Sequence, residues 1–168
     1  MTAPDGRPTN AVFGFVSMLI KMVDELRPDG VIVAWDRGRP QFRIDALKQY
    51  KAHRPPTAVE LKEQFPMAKS VLDALAVPQV EVEGWEADDL LGTLATQAAA
   101  RGMEVLLVTG DRDALQLVND AVKVVSTKKG ITDIKIFDAA AVEERFGITP
   151  AQVPDYLGLK GDTSDNIP

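Results

Sequence analysis

The stretch EVLLVTGDRD, residues 104–113, decides the fold class of this chain. Its first half is a short run of aliphatic and β-branched residues, which predicts a buried strand over residues 104–108. Thr109 and Gly110 end the strand, and Asp111 and Asp113 follow at its carboxyl end. Ligands of open α/β sheets bind outside the carboxyl ends of the strands, so these two carboxylates are placed where a ligand would be held.

The rest of the chain alternates between helical and strand patterns. Apolar residues recur at spacings of three and four after Thr9 or Asn10, which predicts a capped amphipathic helix, and Pro66 should bend or restart a later one. This alternation predicts an α/β fold with a mainly parallel central sheet and helices on both faces. Strands are predicted at residues 31–35, 79–82, 104–108, 122–126 and 134–137, and helices at residues 10–27, 61–76, 86–101, 113–118, 138–146 and 150–159.

Composition excludes several kinds of site and location. The chain has 168 residues, 45% of them hydrophobic, which suits one globular domain. It has no cysteine and one histidine, so disulfides, thiolate zinc sites, a cysteine nucleophile and histidine-rich metal sites are excluded. No stretch has the length of apolar residues that a membrane span needs, and residues 1–9 lack the apolar core of a signal peptide. We expect a cytoplasmic protein without a membrane partner.

Acidic residues gather at predicted strand ends and in short clusters. Asp36 follows the strand at residues 31–35, and the others lie in three groups along the chain. Carboxylates crowded at one sheet edge repel one another, and a bound cation relieves that repulsion. Oxygen ligands favour Mg²⁺ or Mn²⁺, and two such ions roughly 4 Å apart can drive phosphoryl displacement. The pattern predicts a site for two or more such ions, with the candidate ligands Asp36, Glu86, Asp88, Asp89, Asp111, Asp113, Asp162 and Asp165.

Each acidic cluster alone also has a structural interpretation. The cluster that begins at Glu86 could complement a helix dipole, and Asp111 with Asp113 could form a capped turn. Asp162 and Asp165 stand in a Gly, Thr and Ser context that suits another capped turn. Their joint occurrence with Asp36 at the ends of one predicted sheet favours the metal site.

A basic segment contrasts with the net charge of −6. Residues 37–54 contain six basic residues and one acidic residue, with two aromatic residues between them. Aromatic rings stack on unpaired bases while cations hold phosphates, although a charge run is often only a solvated face. The segment predicts an exposed contact with single-stranded DNA, whereas Trp35 and Trp85 are predicted to be core residues. The candidate DNA contacts are Arg37, Arg39, Phe42, Arg43, Lys48, Tyr50, Lys51 and Arg54.

Four motifs match a known family in order and spacing. They are GWEADD at residues 84–89, VTGDRDALQ at residues 108–116, FR at residues 42–43 with YKAHR at residues 50–54, and GDTSDNIP at residues 161–168. Together they resemble the 5′ nuclease domains of the bacterial DNA polymerase I and flap endonuclease family. The resemblance extends from about Thr9 to Pro168, nearly the whole chain.

The resemblance implies a fold, an activity and roles for particular residues. The fold is a PIN-like 5′ nuclease core with a basic helical arch or clamp at residues 37–57, and the eight carboxylates are direct or water-mediated metal ligands. Lys51, Arg43 and Arg54 are the basic catalytic residues, and Lys51 steers the scissile phosphate. The implied activity is metal-dependent hydrolysis of DNA at 5′ ends and flaps, as 5′-3′ exonuclease or flap endonuclease, in primer removal and repair. We expect a monomer, and a polymerase domain in the same native chain is compatible with the resemblance.

The chain departs from the family pattern at both ends. The family begins with a strand that carries a Leu-Asp-Gly-type metal aspartate, for which nothing before Thr9 is a counterpart. It also continues beyond Asp-Asn-Ile-Pro into a helix-hairpin-helix-like element. We therefore expect a single nuclease core over residues 1–168 that lacks both elements. A related metal-carboxylate ribonuclease and a catalytically impaired DNA-binding fragment remain alternatives, whereas the absence of a phosphate-binding Gly-Lys-Ser/Thr loop argues against nucleotide phosphotransfer.

Overall fold

The computed structural model describes residues 1–127 and 134–167. The chain divides into a first unit, Met1–Trp35 with Arg54–Val80, and a second unit, Asp36–His53 with Glu81–Pro168. The expected single core over residues 1–168 stays a prediction. In chain order the elements are α1 (Asn10–Leu26), β1 (Val33–Ala34), α2 (Gln41–Ala46), α3 (Val59–Lys62), α4 (Gln64–Ala74), β2 (Gln79–Val80), α5 (Ala87–Ala100), β3 (Val105–Val108), a 3₁₀ helix (Asp113–Leu117), β4 (Val122–Thr127), β5 (Ile134–Phe137), α6 (Ala139–Phe146), a second 3₁₀ helix (Pro150–Gln152) and α7 (Val153–Lys160).

The first unit is built on the packing of α1 against α4. Its buried apolar side chains come from both helices, and Leu72 is fully buried. β1 and β2 pair in parallel, and their ladder is extended by the N–H groups of Val33 and Trp35, which donate to the carbonyls of Pro78 and Val80. The predicted strands therefore exist but are only two residues long each. Among the described residues, no helix is both long and apolar enough to cross a membrane.

The predicted break near Pro66 is confirmed as a restart of the helix. α3 ends at Lys62, and α4 begins at Gln64, so Pro66 lies in the first turn of α4. The N–H groups of a first helical turn have no intrahelical partner, so the missing N–H of proline costs no hydrogen bond there.

The second unit contains the three-stranded sheet β3-β4-β5. β3 pairs with β4 in parallel, and β4 pairs with β5 antiparallel. Two of the three strand pairings in the described chain are parallel, which agrees with the predicted mainly parallel character. Residues 128–133, which include Lys128, Lys129 and Gly130, lie outside the described residues. Val122, Val124, Val125 and Val142 are the most deeply buried apolar residues described in this unit.

The basic segment is partly helical, although its sequence shows little apolar periodicity. α2 covers Gln41–Ala46 after the buried residue Pro40, and turns follow it as far as His53. The fixed φ of proline suits a position just before a helix, which helps to start this one. The side chains of α2 are half-buried or exposed, which agrees with the exposed segment that the composition predicted. The arch or clamp over residues 37–57 stays a prediction.

We expect Gln64→Leu to destabilise the first unit. Gln64 is only 3% exposed, and its Oε1 accepts hydrogen bonds from the N–H groups of Ala11 at 2.8 Å and Val12 at 3.3 Å. Gln64 therefore caps the amino end of α1 although it belongs to α4, whereas Thr9 makes no side-chain cap. Loss of this acceptor should lower the free energy of unfolding by about 2 kcal/mol, measured by denaturant titration.

The control for this substitution is Gln41→Leu. Gln41 is exposed and donates a hydrogen bond to Asp45 Oδ1. Its replacement should change the free energy of unfolding by less than about 0.5 kcal/mol. Equal losses in the two variants would contradict the capping role of Gln64.

Candidate metal centre

The amino end of α5 collects three of the predicted ligands. Glu86 is the N-cap in extended backbone conformation, and Asp88 and Asp89 lie in the first turn. The helix thus begins one residue later than predicted. Asp36 caps the same end, because its Oδ1 accepts a hydrogen bond from the N–H of Ala87 at 2.7 Å. The bond brings Asp36 to the GWEADD motif although fifty residues separate them in sequence.

Glu86 is held by three side chains of the basic segment. Lys51 Nζ donates to Oε1 at 2.7 Å, and the Tyr50 hydroxyl donates to Oε2 at 2.7 Å. Arg43 Nη1 also donates to Oε2, at 3.0 Å. Burial acts to raise the pKa of Glu86, but the hydrogen bonds from Lys51 and Tyr50 outweigh it, so the pKa is lowered. Glu86 is therefore a stable carboxylate.

Asp89 is engaged by a guanidinium. Arg43 donates to both of its oxygens, at 2.7 Å and 2.5 Å, and Asp89 Oδ2 also accepts from the N–H of Glu86 at 3.1 Å. The hydrogen bonds from Arg43 are the main reason that the pKa of Asp89 is lowered. The sequence placed Glu86 and Asp89 on one helix face with converging oxygens. In the structure, Asp89 instead closes the first turn and fixes Arg43.

A second group of carboxylates lies around Asp113. One oxygen each from Asp113, Asp162 and Asp165 lie within 4.8 Å of one another. Asp111 adjoins them, since its Oδ1 accepts from the N–H of Asp113 at 3.0 Å. Ser164 orients the loop, because its N–H donates to Asp162 Oδ1 at 2.7 Å.

Burial and repulsion between these carboxylates raise the pKa values of two of them. Burial, followed by the negative charges of Asp111, Asp162, Asp165 and Asp88, raises the pKa of Asp113 to about 6. Asp88 keeps an exposed face, yet partial desolvation and the charges of Asp111 and Asp36 raise its pKa too. These couplings join the group at the end of α5 to the group around Asp113. The structure thus brings together Asp36, Glu86, Asp88, Asp111, Asp113, Asp162 and Asp165.

The loop that carries Asp162 and Asp165 holds the turn that carries Lys51. The N–H of Lys51 donates to the Asp165 carbonyl at 3.0 Å, and Asn166 Nδ2 donates to the Gln49 carbonyl at 2.9 Å. Lys51 Nζ also lies 3.6 Å from Asp165 Oδ1. Both Lys51 and Asn166 have positive φ, 51° and 62°, a conformation that asparagine tolerates better than lysine. Sequence reasoning missed Asn166, although the GDTSDNIP motif contains it.

The other residues of the basic segment have different surroundings. Arg37 pairs with Glu81 at 3.0 Å and Glu83 at 2.8 Å, so its charge is partly neutralised. Arg39 and Lys48 are exposed. Arg54 is also exposed and belongs to the first unit. The sequence therefore overstated the free positive charge of the segment, because it did not show which carboxylates would face it.

The prediction that Trp85 is a core residue is wrong. Its side chain is 45% exposed, and its ring centroid lies 5.4 Å from that of Phe42, which is 50% exposed. Trp85 stands in a turn after β2, where Gly84 has a φ of +78° and the backbone of Trp85 forms a bridge with Arg37. Trp35 is half-buried between Phe15 and Phe65, in agreement with a core role.

The donor set fits a divalent metal ion. Only oxygen ligands are present, and the raised pKa of Asp113 means that the negative charge there is not fully compensated by the protein. A hard cation with carboxylate ligands supplies that compensation. Among the described residues, Asp113, Asp162 and Asp165 could share one ion, because one oxygen of each lies within 4.8 Å of the other two.

Known proteins resemble this chain in sequence. The family described as 5′-3′ exonuclease, N-terminal resolvase-like domain matches residues 1–147. DNA polymerase I of Bacillus caldotenax is 48% identical over 163 residues, which are 97% of this chain and 19% of that protein. DNA polymerase I of Bacillus subtilis is 45% identical over 97% of this chain and 18% of its own length. The chain thus spans less than a fifth of the length of these relatives.

Solved structures share the fold. The D15 protein of bacteriophage T5 co-crystallized with metal ions has a TM-score of 0.75 at 20% identity, over 92% of this chain and 60% of that one. The bacteriophage T5 D15 flap endonuclease in a complex with DNA and metal ions has a TM-score of 0.74 at 22% identity, over 95% of this chain and 63% of that one. These likenesses confirm the predicted α/β class and its 5′ nuclease-like core.

We expect Asp113→Asn to stabilise the metal-free protein above about pH 6. The folded-state pKa of about 6 exceeds the ordinary value of 3.8, so the folded protein retains a proton that the unfolded chain releases. Stability in EDTA should therefore fall as the pH rises from about 4 through 6. At about pH 7.5 the free energy of unfolding of the variant should be about 1 kcal/mol higher than that of the unmodified protein, because the repulsive charge is gone and solvent reduces the full effect at this half-exposed site.

The difference should disappear below about pH 3, where Asp113 is neutral in both the folded and the unfolded state. Asp120→Asn, which removes an exposed surface carboxylate, is the control and should change the free energy of unfolding at about pH 7.5 by less than about 0.5 kcal/mol. Added Mg²⁺ should stabilise the unmodified protein more than Asp113→Asn. A pH-independent difference would contradict the interpretation.

Proposed function

The chain belongs to the family of 5′-3′ exonuclease N-terminal resolvase-like domains, and on that premise we propose that it hydrolyses DNA phosphodiesters at 5′ ends and flaps. The observation that carries the proposal is the linked carboxylate group with the raised pKa of Asp113, beside the fixed ammonium of Lys51. Such a site suits phosphoryl chemistry, because it combines oxygen ligands for divalent ions with a cation for the phosphate.

We propose Mg²⁺ or Mn²⁺, two or more ions, as the metals of the site. When bound, such ions make a water molecule acidic and stabilise charge on a phosphate. The proposed ligands, direct or through water, are the seven linked carboxylates and Asp89. Because Asp89 already accepts two hydrogen bonds from Arg43, its contribution should be indirect, through the position of the amino end of α5.

Lys51 is proposed to hold the scissile phosphate. Its ammonium contacts Glu86 at 2.7 Å and Asp165 at 3.6 Å, and these contacts raise its pKa against the effect of burial. Lys51 therefore stays charged at neutral pH next to the carboxylates. Tyr50 stays neutral, because burial raises its pKa to about 12, and it remains a donor to Glu86.

Arg43 and Arg54 are the other proposed catalytic cations. Arg43 is oriented by its two bonds to Asp89, which leaves the guanidinium fixed beside the carboxylates and able to face a phosphate with its remaining donors. For Arg54, the proposed catalytic role rests on the resemblance to the family alone. The proposed DNA contacts add Arg37, Arg39, Phe42, Lys48 and Tyr50, and we propose that residues 37–57 act as an arch or clamp for the 5′ strand.

The proposed setting follows from the relatives. They are bacterial DNA polymerases I, so we propose a role in primer removal and repair in the cytoplasm, with a polymerase domain in the same native chain. The proposed substrate is DNA with a 5′ end or a 5′ single-stranded flap, and the proposed active form is a monomer.

We expect Asp111→Ala and Asp113→Ala each to lower Mg²⁺-dependent cleavage of a 5′-flap DNA by more than about 100-fold, because each removes ligand charge from the site. Asp120→Ala should cleave at the unmodified rate. Gel analysis of a labelled flap gives the rates. Unchanged rates in both site variants would refute the nuclease proposal, and faster cleavage of an RNA hairpin than of the DNA flap would favour the ribonuclease alternative.

We expect Lys51→Ala to lower the cleavage rate far more than the metal affinity, by roughly 100-fold against less than about threefold. The reason is that Lys51 would act on the phosphate, whereas the carboxylates would hold the metal. Calorimetric titration with Mn²⁺ measures the affinity, and single-turnover cleavage measures the rate. Lys62→Ala on α3 is the control for loss of a surface lysine. Equal losses in rate and affinity would contradict the phosphate-holding role.

A further inference from the structure

We propose that Phe42 and Trp85 form a stacking platform for an unpaired nucleobase of single-stranded DNA. The inference rests on the proposed function, because it names the place where the substrate strand of that function is held. It assigns to Trp85 a role that neither the motif resemblance nor the carboxylate site gives it.

The two rings form an exposed aromatic pair. Their centroids are 5.4 Å apart with an interplanar angle of 45°, and the side chains are 50% and 45% exposed. Large aromatic side chains usually bury most of their surface, so two adjacent rings that leave about half of it in water indicate a surface that receives a ligand. Stacking of one base on an aromatic ring contributes about 1–3 kcal/mol.

The pair lies directly beside the carboxylate site along both segments. Phe42 precedes Arg43, and Trp85 precedes Glu86, while Arg43 and Glu86 form an ion pair of 3.0 Å. The aromatic pair and the ion pair therefore bridge the same two segments in adjacent positions. A strand whose phosphate reaches the cations and carboxylates would have its neighbouring base within reach of the rings.

The backbone under the rings is held in place before any strand arrives. The N–H of Gly84 donates to the Arg37 carbonyl at 2.7 Å, and the N–H of Arg37 donates to the Trp85 carbonyl at 3.3 Å. Gly38 has a φ of +85°, and a Cβ at this position would lie 3.3 Å from Glu83 Oε1 and 3.4 Å from the Gly84 nitrogen. The positive φ favours glycine, and a Cβ here would make tight contacts, so the two segments approach one another closely.

Charge favours a nucleobase over an apolar protein segment. The Arg43 guanidinium stands over the Phe42 ring at 4.8 Å, and exposed Arg39 lies in the same segment. These cations suit a polyanionic strand and would disfavour a purely apolar partner. The indole N–H of Trp85 donates to no described residue, so it is available to an oxygen of a base or sugar.

The experiment uses the fact that the chain has two tryptophans. In Trp35→Phe, Trp85 is the only indole, and its fluorescence is followed while single-stranded oligothymidine is added in Ca²⁺, which accepts the same carboxylate oxygens as Mg²⁺. Binding is measured separately by the anisotropy of a labelled oligonucleotide. We expect the fluorescence of Trp85 to fall to roughly half on saturation, because the base stacks on the indole.

The reciprocal variant is the matched control. In Trp85→Phe, the remaining Trp35 should keep its fluorescence, since it is packed between Phe15 and Phe65. Trp85→Ala should weaken oligonucleotide binding about tenfold, and Trp85→Phe should restore most of the affinity, because a ring is present again. Phe13→Ala, which removes an exposed ring from α1, should leave the affinity unchanged.

The outcomes separate the platform from the proposed function. If oligonucleotide binds to Trp35→Phe with no change in Trp85 fluorescence, or if Trp85→Ala binds as tightly as the unmodified protein, the platform is refuted while flap cleavage still stands. That result would favour a protein partner, rather than a nucleobase, as the ligand of the two rings. If the unmodified protein neither binds single-stranded DNA nor cleaves a flap, the proposed function fails, and the platform fails with it.

Discussion

Repulsion among carboxylates, offset by a few fixed cations, is the constraint on which the second unit depends. Lys51 and Arg43 reach Glu86 and Asp89 across more than thirty residues of sequence and join α2 and its following turns to the amino end of α5. The ammonium and guanidinium are partly desolvated, so removal of only one partner of a pair would leave an uncompensated charge and would destabilise the fold. They hold the acidic side chains together in the absence of metal.

The protein does not neutralise all its acidic groups in the same way. Glu86 and Asp89 have lowered pKa values because basic side chains bond to them, whereas Asp88 and Asp113 have raised ones because burial and like charges dominate. Basic side chains of the protein therefore compensate the charges of Glu86 and Asp89. The charges of Asp88 and Asp113 are not compensated in this way, and a divalent ion would supply the missing positive charge. Lys51 lies between Glu86 and Asp165, whose carboxylate neighbours that of Asp113.

Much of the fold could be predicted from local pattern. The helix at α1, the restart near Pro66 and the strands β3, β4 and β5 follow from periodicity and from the backbone chemistry of proline and glycine. The short helix α2 did not, because its six residues have too few apolar positions to show a period. Trp85 was misassigned because large aromatic residues are usually buried, and only the turn after β2 decides that this one is not.

The sequence by itself determined the chemistry of this protein, namely carboxylates without cysteine or clustered histidine, a basic segment, and four motifs specific enough to identify a family. Only the tertiary structure decided the pairing of those charges. It turned Asp89 towards Arg43, placed Lys51 between Glu86 and Asp165, and brought Asp36 to the N–H of Ala87. Spacing along the chain cannot give these contacts, because each depends on the path of segments far apart in sequence and on which charges share low-dielectric surroundings.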